Sequence, residues 1–427
     1  MRISVAVLVG ACLLGCASPV SAMKTPETSA CFEKFTDPGS GVVSYVLKPG
    51  LVGYNQQSLY FTQKSMTDDG RFLMFTVSPD ERTWDRKRGD VPKDFALVDF
   101  AADRAWTLAR GEKFRTSIPC VDCREDRLYY IDTRDGTNDW FCYRDLRNDP
   151  DRERRMFKMP RIHPEGSRFK AYYTHLTLSD DRKYAFLDAR YSVRGVGHSQ
   201  GVEGLLDLAT GQFVKWCEVP HNADHGQINP VRNDLALGAW EGVKPHTNGV
   251  GQTIYPRMWL YAADGRYRNV PSQDILHATH EIWADDGTYF YWCSRDPKRD
   301  RYGVYAFDLA TKRERLVAAE KAMHAMISYD NARLVYDWPL PPTGRGSAWM
   351  MSYKDLRTGK VTDIFTRRPP LSDPVGSSTL HPDPHPQFVM KAKYIVSTMN
   401  GEDMRMNLAV TPVAQFDILR HKQEGAR

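Results

Sequence analysis

Apolar and polar positions alternate with a period of two along most of the chain, and short turns rich in Asp and Gly interrupt the alternation at regular intervals. One hairpin recurs as SMTDDGRFLMF (65–75), VDCREDRLYYID (121–132), LTLSDDRKYAFLD (176–188) and GQINPVRNDLALGAW (226–240). It returns as EIWADDGTYFYWC (281–293), AMISYDNARLVYDW (325–338) and PQFVMKAKYIVST (386–398). The spacing of roughly 45–60 residues marks internal repeats. Most copies are followed by a second hairpin, such as GLLDLATGQFVKW (204–216) or VYAFDLATKRERLV (304–317). Four strands in each of seven repeats predict an all-β chain folded as a seven-bladed β-propeller with four-stranded antiparallel blades, occupying residues 23–427. The early segment VVSYVL (42–47) is expected to complete the last blade and close the ring. A pair of β-sandwiches explains the even spacing less well.

Aligned on their turns, five of the seven copies place histidine in one register. His175, His225, His280, His324 and His385 each stand four residues before the turn, in a chain with 12 histidines. Equivalent positions of a propeller encircle one axis, so these side chains are expected around one mouth of the central channel. A repeated structural role, such as capping each hairpin, is the alternative. The turn Asp285-Asp286-Gly287 is expected to fold His280 opposite Trp292 or Cys293, and LHPDPHPQF supplies His381, Asp383 and His385. His280, Cys293, His381 and His385 are therefore candidate ligands of a divalent metal. Imidazole with thiolate favours zinc, and imidazole with carboxylate also suits manganese or a harder ion such as calcium.

More polar and aromatic groups are expected near that mouth: His198 and Gln200 in the loop after the third inner hairpin, His221 and Trp240 around the fourth, and Tyr255-Pro256-Arg257. The guanidinium of Arg257 has the fork geometry that holds a carboxylate. A concave mouth with histidines, an Arg and a metal suits an acidic sugar. Cleaving a 4-linked uronate by β-elimination requires that its carboxylate be neutralised, that a base take the C5 proton, and that an acid protonate the oxygen leaving C4. Histidine serves both proton tasks near neutral pH.

GHSQG (197–201) matches the G-x-S-x-G of serine hydrolases, but such an elbow needs a helix after the serine. Here a hairpin follows, so Ser199 reads as a loop serine and His198 as the better candidate for chemistry. The N-terminal MRISVAVLVGACLLGCASPVSA (1–22) reads as an export signal, cleaved either before Cys16, which would then carry a lipid anchor, or after Ala22. No other stretch is apolar enough to span a membrane, so a periplasmic, membrane-tethered or secreted monomer is expected. A net charge of +5 without Lys/Arg runs speaks against a nucleic-acid partner. Six cysteines remain after the signal. Export permits a disulfide among them, and buried thiols suit most of them.

The segments FTDPGSGVVSYVL, SLYFTQKSMTDDGRFLMF, HGQINP, HEIWADDG and HPDPHPQF together resemble the seven-bladed propeller polysaccharide lyases, which include oligogalacturonate, ulvan and rhamnose–glucuronate lyases. The resemblance implies that His225 belongs to the active centre and that His280 and His385 bind metal. In the oligogalacturonate enzymes the last segment is closer to Gln-x-x-His-x-His, where this chain has Leu380, His381, Asp383 and His385. The ulvan-type enzymes use two histidines at a separation that His175 and His198 match, and a carboxylate-binding Arg that Arg257 matches. The expectation is therefore a lyase for an acidic polysaccharide or oligosaccharide containing glucuronate or iduronate, with His175, His198 and His225 as proton-transfer residues. An oligogalacturonate lyase is the alternative, and a non-catalytic envelope propeller is the rival class.

Overall fold

A strand packed on both faces has no solvent side, and the second strand of several repeats has that character. Phe72–Ser78, Tyr184–Ser192 and Tyr394–Asn400 are buried along nearly their whole length. The outermost strands, such as Asp149–Lys158, are largely open or half-buried. This gradient is what a radial stack of sheets imposes. The computed structural model describes residues 22–78, 94–108, 119–133, 139–172, 175–241, 246–247, 253–254, 257–270, 278–296, 301–341, 347–371 and 382–417. They form a seven-bladed propeller of antiparallel sheets, with one short helical stretch at 414–417.

Blade 1 contains Asn55–Ser58, Phe72–Ser78, Asp94–Asp99 and Arg104–Thr107, and blade 2 runs from Cys120–Asp122 out to Asp149–Lys158. Blade 3 is built on Thr177–Leu178, Tyr184–Ser192, Gln200–Asp207 and Phe213–Val219, with Arg168–Tyr172 added beside Tyr184–Ser192. Blade 4 starts at Asn222–Asn229, blade 5 at Ala278–Trp283 and blade 6 at Ala325–Ile327. Blade 7 takes Gln387–Val389, Tyr394–Asn400 and Met406–Pro412 from the C-terminal end, then Val43–Leu47 and Phe32–Thr36 from the N-terminal end. In that closure Tyr45 pairs with Val410 and Val46 with Ala409, as expected from the sequence. The Ser44 hydroxyl lies 2.7 Å from that of Thr411.

Apolar clusters fill the wedges between blades. Val46, Val335, Phe365 and Ile395 pack blade 6 against blade 7, and Leu73, Val98, Val396 and Val410 pack blade 7 against blade 1. The turns at the narrow end are tight. Gly287 has φ +65°, and a Cβ there would lie 2.5 Å from Oδ1 of Asn229 in the neighbouring blade, so glycine alone fits the DDG turn. The segment Leu59–Lys64 of blade 1 enters the channel, and Nζ of Lys64 reaches Oδ2 of Asp285 in blade 5 at 2.9 Å. Below it a cavity of about 390 Å³ opens at the turn end, lined by Asp122, Arg124, Arg182 and Asp285 among others. The histidine register lies at the opposite end of the inner strands.

All six cysteines from Cys31 to Cys293 are free thiols. Residues 1–21, with the expected export signal and Cys16, lie outside the described residues, and no described helix is long and apolar enough to cross a membrane. Because Val46 is buried in the closing strand, Val46→Asp would place an unpaired charge in the blade 6–7 wedge. Urea unfolding should show a loss of about 3–5 kcal/mol. Glu33→Ala on the exposed outer strand should change stability by no more than about 0.5 kcal/mol.

Candidate functional site

Three of the five registered histidines have a left-handed backbone: His225 and His280 at φ +59° and His385 at +47°. The strand register slips between Asp224 and Gln227, and again between Thr279 and Ile282, so the first two sit in β-bulges. A bulge re-aims a side chain, and a left-handed non-glycine residue costs about 1–3 kcal/mol, a price typical of functional sites. All five imidazoles converge as the register predicts. His175 stacks on His225 with ring centres 4.3 Å apart. His324 lies 4.2 Å from His280 and 4.3 Å from His385. Tyr60, from the segment that enters the channel, sits among them, 4.8 Å from His385, 5.0 Å from His175 and 6.4 Å from His225.

One half of the ring is organised by a buried carboxylate. Glu281 accepts a hydrogen bond from Nε of Arg257 at 3.1 Å, and its other oxygen lies 3.0 Å from Nδ1 of His225. Nη2 of Arg257 is 3.1 Å from the same Nδ1. Burial opposes charge on Glu281, but Arg257 and His225 outweigh it and hold the carboxyl well below its usual range. Burial also opposes charge on His225, yet Asp224 and Glu281 keep its imidazole above the ordinary value. His175, enclosed and next to His225, is pushed well below it and stays neutral.

The other half suits a cation. Ligand atoms of His324, Asp383 and His385 lie within 4.8 Å of one another. Nδ1 of His324 is 3.1 Å from both oxygens of Asp337, which orients Nε2 towards Asp383. Metal-bound histidines are typically fixed through the second ring nitrogen in this way. His280 adjoins His324. Burial, then His324, push it well below its ordinary value, and its buried Nδ1 has no hydrogen-bond partner among the described residues. Imidazoles with one carboxylate fit a divalent ion such as manganese or zinc. A second grouping, Asp132, Cys142 and Glu153 in blade 2, is engaged by Arg155 and Tyr130.

Other expected residues lie elsewhere. Cys293 pairs with Thr279 across the hairpin, not with His280, because the bulge shifts the register. It packs with Ile282, Tyr291 and Val304, and burial holds it as a thiol well above its ordinary value. His198 is exposed on its loop and stacks on His221 at 5.7 Å, and His221 lies 4.5 Å from Trp240. Trp240 is sandwiched against Trp259 and donates from Nε1 to the Tyr261 hydroxyl at 3.0 Å. His198 thus joins an aromatic shelf between blades 3 and 4, and no contact with His175 occurs among the described residues. Gln200 opens the next strand opposite Tyr191, with no helix after Ser199, whose hydroxyl accepts a hydrogen bond from Lys170 at 2.6 Å. Tyr255 and His381 lie outside the described residues. Sequence reasoning missed Tyr60, Asp224, Glu281 and Asp337. Only Glu281 carried a signal, as the acid beside His280 in HEIW.

No family model matches the chain, and no curated protein does. Its fold is similar to that of a solved oligogalacturonate lyase in complex with manganese, at 20% identity and TM-score 0.69, covering 89% of this chain and 96% of the other. It is also similar to an oligogalacturonate lyase from Vibrio parahaemolyticus, at 17% identity and TM-score 0.70, covering 90% and 96%. A puromycin-hydrolysing peptidase of Mycobacterium tuberculosis is more distant, at 13% identity and TM-score 0.51, covering 84% and 55%.

The raised imidazole of His225 stabilises the fold fully below about pH 6.5, and the effect is lost as pH rises through its folded value. The depressed carboxyl of Glu281 contributes fully above about pH 4.3 and loses that contribution as pH falls through its folded value. Glu281→Gln should therefore cost most between those limits, about 3–5 kcal/mol by urea unfolding. A flat difference from acid to alkaline pH would contradict the pairing. Asp337→Asn should weaken manganese or zinc binding about 10–100-fold by titration calorimetry.

Proposed function

We propose that the protein is a lyase that cleaves 4-linked uronates by β-elimination, with oligogalacturonates as its first substrate class. The observation that carries this reading is the gathering of His225 and Arg257 on buried Glu281, beside the His324–Asp383–His385 group. A base, a carboxylate receptor and a cation site then share one mouth, as the elimination requires. Full-length likeness to two oligogalacturonate lyase folds supports it. The pairing of His175 with His225, not with His198, favours galacturonate over the glucuronate or iduronate substrates suggested by the His175–His198 spacing.

In this mechanism Arg257 receives the uronate carboxylate, and neutralising that charge makes the C5–H bond acidic. A divalent cation held by His324, Asp383 and His385, with His280 alongside, would add positive charge for the same carboxylate. Nε2 of His225 takes the C5 proton, and Glu281 at Nδ1 stabilises the imidazolium. The electrons of the C5–H bond form the C4–C5 double bond, the C4–O4 bond breaks, and the imidazolium returns its proton to O4. His175 backs His225 as a neutral, enclosed ring. The shelf of His198 and His221, backed by the buried Trp240, offers stacking for a further sugar. Export by the N-terminal segment belongs to the same proposal.

The purified protein, given manganese and a panel of pectate oligomers, ulvan and glucuronate-containing gums, should produce the ultraviolet absorbance of a 4,5-unsaturated uronate with the pectate oligomers. His225→Ala should lower kcat by about 10²–10⁴-fold. Absorbance silent across the panel would favour a binding propeller, and response to ulvan alone would move the substrate to glucuronate or iduronate.

A further inference from the structure

Asp188 stands outside the groups described so far, yet it binds the amide that directly follows the candidate base. It lies in the second strand of blade 3 and is fully buried. Its Oδ2 accepts a hydrogen bond of 2.6 Å from the amide of Gly226, the residue after His225. A Cβ on Gly226 would lie 2.5 Å from that oxygen, so the glycine of HGQ makes room for the carboxylate.

Among the described residues the device recurs in blade 6. Ser179 and Asp188 open and close the same interval as Ser328 and Asp337, nine residues in each case. Asp337 also reaches into the following blade, where its Oδ2 accepts the amide of His385 at 3.1 Å. Both carboxylates thus bind the main chain at a left-handed histidine, at φ +59° and +47°. Asp337 additionally holds the ring of His324, whereas Asp188 bonds to no imidazole among the described residues. The third left-handed histidine, His280, follows blade 4, whose equivalent residue is Gly238. Across the strand pair Asp188 faces Glu203, also fully buried. Burial, then Asp224, push Asp188 up to about 7, so an amide of the same shape is a close substitute for its acid form.

We propose that Asp188 is a positioning residue for His225: by clamping the Gly226 amide it holds the bulge that aims the imidazole at Glu281 and Arg257. A buried carboxyl has few other acceptable partners, and a strained backbone persists only where its surroundings over-determine it. Asp188 touches no substrate in this scheme. Its consequence for turnover rests on the reading of His225 as the proton carrier.

The test compares Asp188→Ala and Asp188→Asn by crystal structure and by kinetics on the uronate that the wild type cleaves. Asp188→Ala should release residue 225 from its left-handed conformation, move the imidazole off Glu281, and lower kcat about 10–100-fold with KM within about twofold. Asp188→Asn keeps an acceptor oxygen and should retain both the ring position and most of kcat. Should Asp188→Ala fail to fold, Gly226→Ala displaces the same carboxylate and should give the same kcat loss. An imidazole still seated on Glu281 in Asp188→Ala, with kcat within about twofold of wild type, overturns the proposal. An imidazole that moves while kcat holds would uphold the clamp and remove His225 from the chemistry.

Discussion

Closure of the ring by Val43–Leu47 is the constraint on which the rest depends. Only when Tyr45 and Val46 pair with Val410 and Ala409 do seven inner strands share one axis, and only then do equivalent positions in distant repeats meet. His175 and His385 are far apart in the chain, yet both rings lie within about 5 Å of Tyr60. The wedge clusters that include Val46 and Val410 make the closure a matter of packing as well as of pairing.

Within that frame, charge divides the mouth into two halves. Glu281 gathers Arg257 and His225 on one side, and Asp337 with Asp383 organises His324 and His385 on the other. Each half keeps a buried negative group close to its imidazoles. The histidines consequently differ in character: His225 and His324 lie above their ordinary value, while His175 and His280 are driven well below it by burial. A neutral enclosed ring suits a support, as at His175, while a carboxylate behind a ring orients a metal ligand at His324 and stabilises a proton carrier at His225.

The fold was legible because strand alternation and turn chemistry repeat seven times, so errors in one copy are corrected by the others. The histidine ring was legible for the same reason. What escaped the sequence depends on irregularity. The bulge at His280 slips the register by which Cys293 was placed opposite it, and it accompanies the turning of Glu281 towards Arg257. Tyr60 belongs to a connecting segment of blade 1, between Asn55–Ser58 and the hairpin turn, rather than to the strand alternation. Asp337 and Asp188 lie in second strands that read as continuous burial, where an acid looks like an exception until its partner amide in the next blade is known.

The most direct measurement of the central claim is a crystal structure of the His225→Ala variant soaked with manganese and an oligogalacturonate, with anomalous scattering used to place the ion. The account predicts manganese on His324, Asp383 and His385, and a uronate carboxylate at Arg257 in the same mouth. Manganese at Asp132, Cys142 and Glu153 instead, or an oligosaccharide seated only on the shelf of His198 and His221 and away from Arg257, would contradict it.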